Sequence, residues 1–202
     1  LLDTLGDLTA AMNRTLTRHG LPERTRQQMR TALGNGARRL MELSVPSGTD
    51  SALFETLLAE YNADYAAHCR IETAPYPGVA ALLRTLHTQG RKLAIVSNKP
   101  DEAVRALRAD FFADAVQIAV GETAAIRRKP APDMLLAAME QLGADPDKTV
   151  FVGDSEVDIA TARAADLPCI SVLWGFRDRD VLERAGAQQF AADIAQLQAL
   201  LG

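Results

Sequence analysis

Residues 153–158 place two carboxylates where they could bind a divalent cation. Asp154 and Ser155 follow the apolar run 149–152, and Asp158 comes four residues after Asp154, one helical turn further on the same face. Two carboxylates this close repel each other unless a cation or hydrogen-bond donors compensate them. Oxygen ligands in a loop suit Mg²⁺, which takes one or two protein carboxylates and keeps several waters. The alternative is that Asp154 or Ser155 caps a helix and Asp158 lies on the surface.

A second polar segment follows the apolar run 92–97. Ser97 and Asn98 place a hydroxyl and an amide directly before a predicted helix that begins near Asp101. The free N–H groups and the dipole at a helix N-terminus favour an anion, so a phosphate group could bind there. The alternative is an ordinary helix N-cap.

A third segment, residues 127–129, is basic and stands just before a helix that a proline can begin. Lys129 could neutralise a phosphoryl group there as a compact point charge. The alternative for an isolated Lys-Pro pair is a solvated basic turn.

The elements that carry these residues predict an α/β fold with a doubly wound parallel sheet. The strand-like runs cover residues 92–97, 115–120, 149–152 and 169–173, and the helical patterns between them cover residues 101–108, 131–142 and 156–165. Strands that are apolar throughout and separated by helices are typical of a parallel sheet covered on both faces. Because ligands bind at the carboxyl ends of such strands, the three polar segments are predicted to meet at one edge of the sheet.

The chain before residue 75 contains only helical patterns. Apolar residues recur at helical spacing before Gly20 and over residues 22–33, 37–43 and 51–69, with Thr49 and Asp50 as capping candidates for the last helix. The Pro-rich stretch 73–78 suits a domain boundary. We therefore expect a small helical unit before residue 75 and an α/β unit after it.

Composition and charge argue against several classes of function. The chain has 202 residues, 48% of them hydrophobic and 24% charged, with a formal net charge of −4. It offers no basic surplus for nucleic acid and no apolar run near the roughly 20 residues that span a bilayer. Cys69 and Cys169 lack the spacing of a zinc site and favour a reducing, cytoplasmic compartment. His19, His68 and His87 are isolated, so no histidine-based chemistry is indicated.

In this order, the three polar segments resemble the motifs of the haloacid dehalogenase superfamily. The motifs are Ser97-Asn98-Lys99, Lys129-Pro130 and residues 153–158, and the helical insert lies where that family carries a four-helix cap. Within the family, residues 1–4, 34–40 and 171–176 are most similar to the phosphoglycolate phosphatases. The resemblance covers nearly the whole chain and implies an α/β core with an inserted cap. On this match, residues 1–8 begin the core, residues 9–74 form the inserted helical cap, and residues 75–202 complete the core.

The resemblance implies a role for each matched residue. Ser97 would hold a phosphate oxygen, Asn98 would orient the loop or the leaving group, and Lys129 would balance charge on the transferring phosphoryl group. Asp154 would bind Mg²⁺, and Asp158 would help hold the metal or its waters. These roles predict an enzyme that hydrolyses a phosphomonoester through an aspartyl-phosphate intermediate.

The substrate implied by the resemblance is a small phosphorylated metabolite, with 2-phosphoglycolate first. The alternative is another phosphatase or a phosphomutase of the same family that acts on sugar phosphates. Gly36 and Arg38 could offer a backbone N–H and a guanidinium to a small carboxylate. The alternative at this place is a helix–helix turn followed by surface arginines. No nucleic-acid or membrane partner is expected, and the chain is expected to be a monomer or a homodimer.

The resemblance also implies two catalytic aspartates that residues 1–202 do not contain. The family carries an Asp-x-Asp loop at the end of its first strand, which the match places just upstream of Leu1, with Asp3 and Asp7 beyond it. The start at Leu1 without an initiator Met leads us to expect a missing N-terminal segment, an inactive 202-residue chain and a gap in the sheet. Two further hypotheses are a phospho-acceptor receiver module and a silent protein that binds a phosphorylated ligand.

Overall fold

The computed structural model describes residues 1–202, which divide into two compact units, Leu1–Tyr76 and Pro77–Gly202. The division falls within the Pro-rich stretch where the sequence predicted a domain boundary. The first eight residues belong to the first unit, whereas the sequence analysis assigned them to the core. These residues belong to the first unit because β1 (Leu2–Asp3) pairs antiparallel with β2 (Ala74–Pro75) inside that unit.

The first unit contains four helices, as the sequence predicts. They are α1 (Leu5–Arg18), α2 (Arg26–Ala32), α3 (Gly36–Ser44) and α4 (Ser51–His68). The second helix begins later than predicted because Thr25 and Gln28 form a capping box at its start. The fourth begins after Asp50, whose carboxylate accepts the backbone N–H groups of residues 52 and 53 at 2.9 and 3.1 Å.

Two buried carboxylates fix the helices of the first unit. Asp7 on α1 accepts the backbone N–H groups of residues 71–73 at 2.9 to 3.1 Å. Asp64 on α4 accepts hydrogen bonds from Arg14 and Arg18 on α1, at 2.9 and 3.0 Å. A buried carboxylate with this many donors is satisfied by the structure itself. Asp7 is therefore a structural residue and not an available nucleophile.

The second unit has the predicted α/β architecture. Its elements in chain order are α5 (Val79–Thr88), β3 (Ala94–Pro100), α6 (Asp101–Phe112), β4 (Ile118–Glu122), α7 (Asp133–Leu142), β5 (Phe151–Gly153), α8 (Glu156–Ala164), β6 (Cys169–Val172), α9 (Arg179–Arg184), β7 (Gln189–Ala191) and α10 (Ile194–Leu201). All strand pairs in this unit are parallel. The sequence analysis did not predict β7, because a three-residue strand that begins with Gln has no apolar run to mark it.

Helices pack on both sides of these strands. Alternate residues of β6 face opposite sides, so Ile170 and Val172 pack on α5 and α10, while Cys169 and Ser171 face the other way. On β4 and β3, Val120 and Val96 pack against Met134 of α7. Apolar contacts along the strands therefore hold the strands in place, and this fixes the loops that follow their carboxyl ends.

The parallel strands form two separate ladders. One joins β3 to β4, the other joins β5, β6 and β7, and no hydrogen bonds join β3 to β5. Each of these two strands is paired along one edge only, and Val152 of β5 is 36% exposed although its strand is apolar. The sequence analysis predicted a gap in the sheet without placing it beside a particular strand. No helix of the structure combines the length and the apolar content needed to cross a membrane.

Candidate functional site

The structure brings five predicted residues together at the carboxyl ends of β3 and β5. Ser97 and Asn98 belong to the end of β3, Asp154 follows β5, and Asp158 lies in the first turn of α8. Lys129 lies in the loop before α7 and contacts the end of β3 as well as α8. Its backbone N–H donates to Asn98, and its Nζ donates to Asp158. Three segments that are distant in sequence thus form one polar cluster, as the strand order predicted.

Lys129 and Asp158 form a buried ion pair. The Nζ of Lys129 lies 2.6 Å from Oδ1 of Asp158, and the two side chains are 11% and 6% exposed. The same Nζ donates to the carbonyl oxygen of Val96 at 3.3 Å and lies over the ring of Phe151, 5.6 Å from its centroid. The alternative of a solvated basic turn is therefore wrong for Lys129, because the side chain is turned inward.

Asp158 is occupied by protein donors. Besides Lys129, its carboxylate accepts the N–H groups of Asp154 and Ser155, each at 3.1 Å, and the hydroxyl of Ser155 at 2.7 Å. Burial alone would raise the pKa of Asp158, but Lys129 and these donors outweigh it and hold the pKa below its ordinary value. Asp158 is thus buried and not on the surface, and its oxygens are engaged. In this structure Asp158 anchors Lys129 and the loop at Asp154, and its expected part in holding the metal or its waters stays a prediction.

Asp154 is the carboxylate that remains available. Its Oδ2 accepts the backbone N–H of Phe176 at 2.7 Å, and this is the one hydrogen bond to its carboxylate. Burial and then repulsion from Asp158 raise the pKa of Asp154 above its ordinary value. Asp154 is half-buried. A carboxylate with one donor and a like-charged neighbour is where a bound cation would be most stabilising.

Two glycines allow this packing. A Cβ added to Gly153 would lie 2.2 Å from Cβ of Asp158, and one added to Gly175 would lie 2.2 Å from Oδ2 of Asp154. Side chains do not fit at these distances, so glycine is required at both positions. The sequence analysis gave Gly175 and Phe176 no role in the site. The signal was present, since Gly175 follows an apolar strand at the same edge of the sheet.

Ser97 and Asn98 do not cap the following helix. The N-cap of α6 is Pro100, without a side-chain hydrogen bond, and Oγ of Ser97 accepts the N–H of Lys99 at 3.3 Å. The amide of Asn98 instead uses both of its atoms on the backbone of Lys129: Oδ1 accepts its N–H at 2.8 Å and Nδ2 donates to its carbonyl at 3.0 Å. Asn98 therefore orients the loop that carries Lys129.

This geometry predicts the effect of Asn98→Ala. The substitution removes both hydrogen bonds and is expected to cost about 2 kcal/mol of unfolding free energy. Because Lys129 then loses its fixed position, we expect kcat for phosphate release to fall about 10- to 100-fold. In a Lys129→Met background the same substitution should lower kcat no further, since the group that it positions is gone.

Gln117→Ala is a matched control for Asn98→Ala. Its amide also braces two groups, accepting from the N–H of Leu93 at 2.7 Å and bonding Nδ1 of His87 at 2.8 Å, but at the other end of the strands. It should lose comparable stability with unchanged kcat. An equal fall in kcat for both variants would contradict a positioning role for Asn98.

Gly36 and Arg38 belong to the first unit, where Arg38 does not have the predicted role. Its guanidinium makes a two-point ion pair with Glu55, at 2.8 and 2.9 Å, and lies over the ring of Phe54. A substrate carboxylate would have to displace Glu55, so the prediction that Arg38 binds a carboxylate is corrected. Gly36 has φ of 79° at the start of α3, which fits the alternative of a helix–helix turn followed by surface arginines.

Cys169 lies near the ion pair but is not a reactive group. Burial first, and then the nearby Asp158 carboxylate, raise the pKa of its thiol to about 12. The thiolate is the nucleophilic form of cysteine, so this side chain stays protonated and unreactive at neutral pH. Cys69 and Cys169 are both free thiols.

Sequence comparison relates the chain to one enzyme family. The family model described as haloacid dehalogenase-like hydrolase matches residues 1–172. A phosphoglycolate phosphatase of Rhodospirillum rubrum is 32% identical over 210 residues, which cover all of this chain and 87% of that protein. An N-acetylmuramic acid 6-phosphate phosphatase of Pseudomonas aeruginosa is 32% identical over 87% of this chain and 78% of its own length.

Comparison of structures gives the same result. The crystal structure of a provisionally assigned phosphoglycolate phosphatase from Lactobacillus delbrueckii subsp. bulgaricus superposes with a TM-score of 0.93 at 34% identity. The superposition covers 99% of this chain and 93% of that one. The similarity therefore extends over both units and is not confined to the polar cluster.

Proposed function

Because the chain belongs to the haloacid dehalogenase-like hydrolases, we propose that it is a Mg²⁺-dependent phosphatase of small phosphomonoesters. The observation that carries the proposal is the cluster of Lys129, Asp154 and Asp158. It combines the buried side-chain amine of Lys129, the anchoring carboxylate of Asp158 and the available carboxylate of Asp154 at the carboxyl ends of parallel strands. This is the electrostatic environment that a phosphoryl group, with its charge on several oxygens, requires.

The residues present fit a hard divalent cation. Asp154 would hold it, because the N–H of Phe176 binds Oδ2 and leaves Oδ1 without a protein donor. Burial and then repulsion from Asp158 raise the pKa of this carboxyl group, and a bound cation would offset that repulsion. A single protein carboxylate is enough for Mg²⁺, which keeps most of its waters. When bound, the cation would reduce the repulsion between an anionic substrate and the carboxylates.

The chain's own residues would supply positioning and charge. Ser97, at the end of β3, would donate to a phosphoryl oxygen, and the Nζ of Lys129 would lie beside the same group. Asp158 would hold the Nζ of Lys129 in place, and Asn98 would hold its backbone. The phosphoryl acceptor would be the aspartate that we expect upstream of Leu1. Its carboxylate would attack phosphorus as the alkoxide leaves, and hydrolysis of the aspartyl-phosphate would release phosphate and restore the free carboxylate. A second aspartate of that loop would protonate the leaving alkoxide and then activate water.

For the substrate, we propose 2-phosphoglycolate first and sugar phosphates second. The names of the relatives support this order, because the R. rubrum protein is a phosphoglycolate phosphatase and the P. aeruginosa protein acts on a sugar phosphate. We propose that residues 9–74 act as the cap that excludes water and selects the substrate. Since Arg38 is paired with Glu55, the residue that binds the carboxylate is not assigned. The two free thiols fit a cytoplasmic location.

A phosphate-release assay with two forms of the protein tests the proposal. The 202-residue chain and a form extended upstream of Leu1 are assayed with 2-phosphoglycolate, N-acetylmuramic acid 6-phosphate and other sugar phosphates, with Mg²⁺ or with EDTA. We expect release only from the extended form, only with Mg²⁺, and fastest from 2-phosphoglycolate. Turnover that survives EDTA would exclude the metal role, and a stable phosphoprotein without turnover would favour the receiver module. Binding without turnover would favour the silent protein.

A further inference from the structure

Arg177 and Glu156 form an ion pair next to Asp154 that the proposed reaction does not use. The guanidinium of Arg177 meets the carboxylate of Glu156 at two points, 2.7 Å from Nε to Oε2 and 3.1 Å from Nη2 to Oε1. The Arg177 side chain is only 10% exposed. A two-point arginine–carboxylate pair with one partner buried is directional as well as attractive, so it can hold two segments in register.

The pair joins the two segments that hold Asp154 in place. Glu156 is the first residue of α8, two positions after Asp154. Arg177 directly follows Phe176, whose N–H donates to Oδ2 of Asp154 at 2.7 Å. The loop after β6 thus contacts the segment after β5 at two adjacent points, one through its backbone and one through a side chain.

The backbone contact decides which oxygen of Asp154 is available. The Phe176 amide occupies Oδ2, and Gly175 lies directly against the same oxygen, so Oδ1 is the oxygen that can bind a cation. A hydrogen-bond partner that orients a ligating carboxylate typically changes metal affinity about 10- to 100-fold. Whatever holds the Phe176 amide in position therefore contributes to the affinity for the metal.

We propose that Glu156 and Arg177 form a latch that sets the Mg²⁺ affinity of Asp154 by holding the Phe176 amide on its carboxylate. Both are positioning residues, and the inference rests on the proposed function. A purely electrostatic role makes a different prediction. If only net charge mattered, removing Glu156 would weaken cation binding and removing Arg177 would strengthen it. A latch requires that both substitutions weaken it.

The test uses calorimetry to measure binding of Mg²⁺ to the form of the protein that is extended upstream of Leu1. The variants are Glu156→Gln, Arg177→Gln, the double variant, and Arg177→Lys, which keeps the charge but loses the two-point contact. Glu183→Gln is the matched control, because Glu183 pairs with Arg179 at 2.8 Å on an exposed helix nearby. Thermal unfolding in EDTA verifies that each variant is folded, and NMR follows hydrogen exchange of the Phe176 amide.

We expect each single substitution to raise the Kd for Mg²⁺ about 10-fold, the double variant to be no worse than either, and the control to bind as the wild type does. Arg177→Lys should recover part of the affinity, and the Phe176 amide should exchange faster only in the latch variants. Tighter binding by Arg177→Gln, or unchanged binding in folded variants, would overturn the latch and leave the proposed function intact. A wild-type protein that binds no Mg²⁺ would overturn both.

Discussion

Asp154→Asn is expected to stabilise the metal-free protein at neutral pH while it removes at least about 99% of the phosphatase activity. The carboxylate is half-buried, has one hydrogen-bond donor and is repelled by Asp158, so its ionisation destabilises the folded state. Asparagine keeps an oxygen for the Phe176 amide and carries no charge. We expect a gain of about 1 kcal/mol, the size that is common when an unfavourable functional residue is replaced.

The sign of the pH dependence follows from the raised pKa. A carboxyl group whose pKa is higher in the folded state costs stability once the pH exceeds its ordinary value, near 4. The advantage of Asp154→Asn should therefore be greatest at neutral pH and disappear in acid. Urea unfolding in EDTA between pH 3.5 and 7.5 measures it, with Asp114→Asn as an exposed control.

Magnesium gives a second measurement on the same variant. A ligand that binds only the folded state raises Tm with its concentration, so Mg²⁺ should raise the Tm of the wild type. It should leave the Tm of Asp154→Asn unchanged. An equal rise in both proteins would show that the cation binds elsewhere.

Lys129→Met is expected to have the opposite effect on stability and a similar effect on activity. The substitution leaves Asp158 buried without its cation, and breaking such a pair typically costs about 3 kcal/mol or more. It also removes the charge that would stabilise the transferring phosphoryl group, so we expect kcat to fall about 100- to 1,000-fold. Methionine keeps much of the length of the side chain and its contact with the ring of Phe151.

The loss of stability caused by Lys129→Met should depend on pH in the same range as the gain from Asp154→Asn. Lys129 holds the pKa of Asp158 below its ordinary value, and a carboxyl group of this kind contributes stability above that value and loses it as the pH falls. The difference between wild type and Lys129→Met should therefore be large at pH 7 and shrink below about pH 4. Lys148→Met is the control, because that lysine is 83% exposed. A Lys129→Met protein with wild-type kcat would remove Lys129 from the mechanism.

The sequence predicted most of the fold because its signals are local. Apolar runs separated by helical patterns indicated the parallel α/β unit, and the change of pattern near residue 75 indicated the separate helical unit. The elements that were missed include α5, β7 and α10. α5 carries an apolar pattern at helical spacing, Val79, Leu82, Leu83 and Leu86, that the sequence analysis did not use. β7 and α10 are shorter, and their positions depend on packing against α5 and β6.

The sequence was less informative about what charged side chains bind. Arg38 and Lys129 both precede or follow turn residues and both could meet an anion. In the structure Arg38 pairs with Glu55 on the neighbouring helix, whereas Lys129 turns inward to Asp158. Seventeen and twenty-nine residues separate these partners, so each pairing depends on how helices and strands cross in space.

By itself, the sequence determined the identity of the site. Ser97, Asn98, Lys129, Asp154 and Asp158 were found because strand ends in a parallel sheet must meet at one edge, and hydrophobic periodicity locates those ends. Only the tertiary structure decided that Asp158 anchors Lys129 while Asp154 stays available for a cation. Both carboxylates lie in one short segment, but their donors differ. Lys129, from a distant segment, binds one oxygen of Asp158, and the neighbouring residues 154 and 155 bind the other. The amide of Phe176, also from a distant segment, binds one oxygen of Asp154 and leaves the other available.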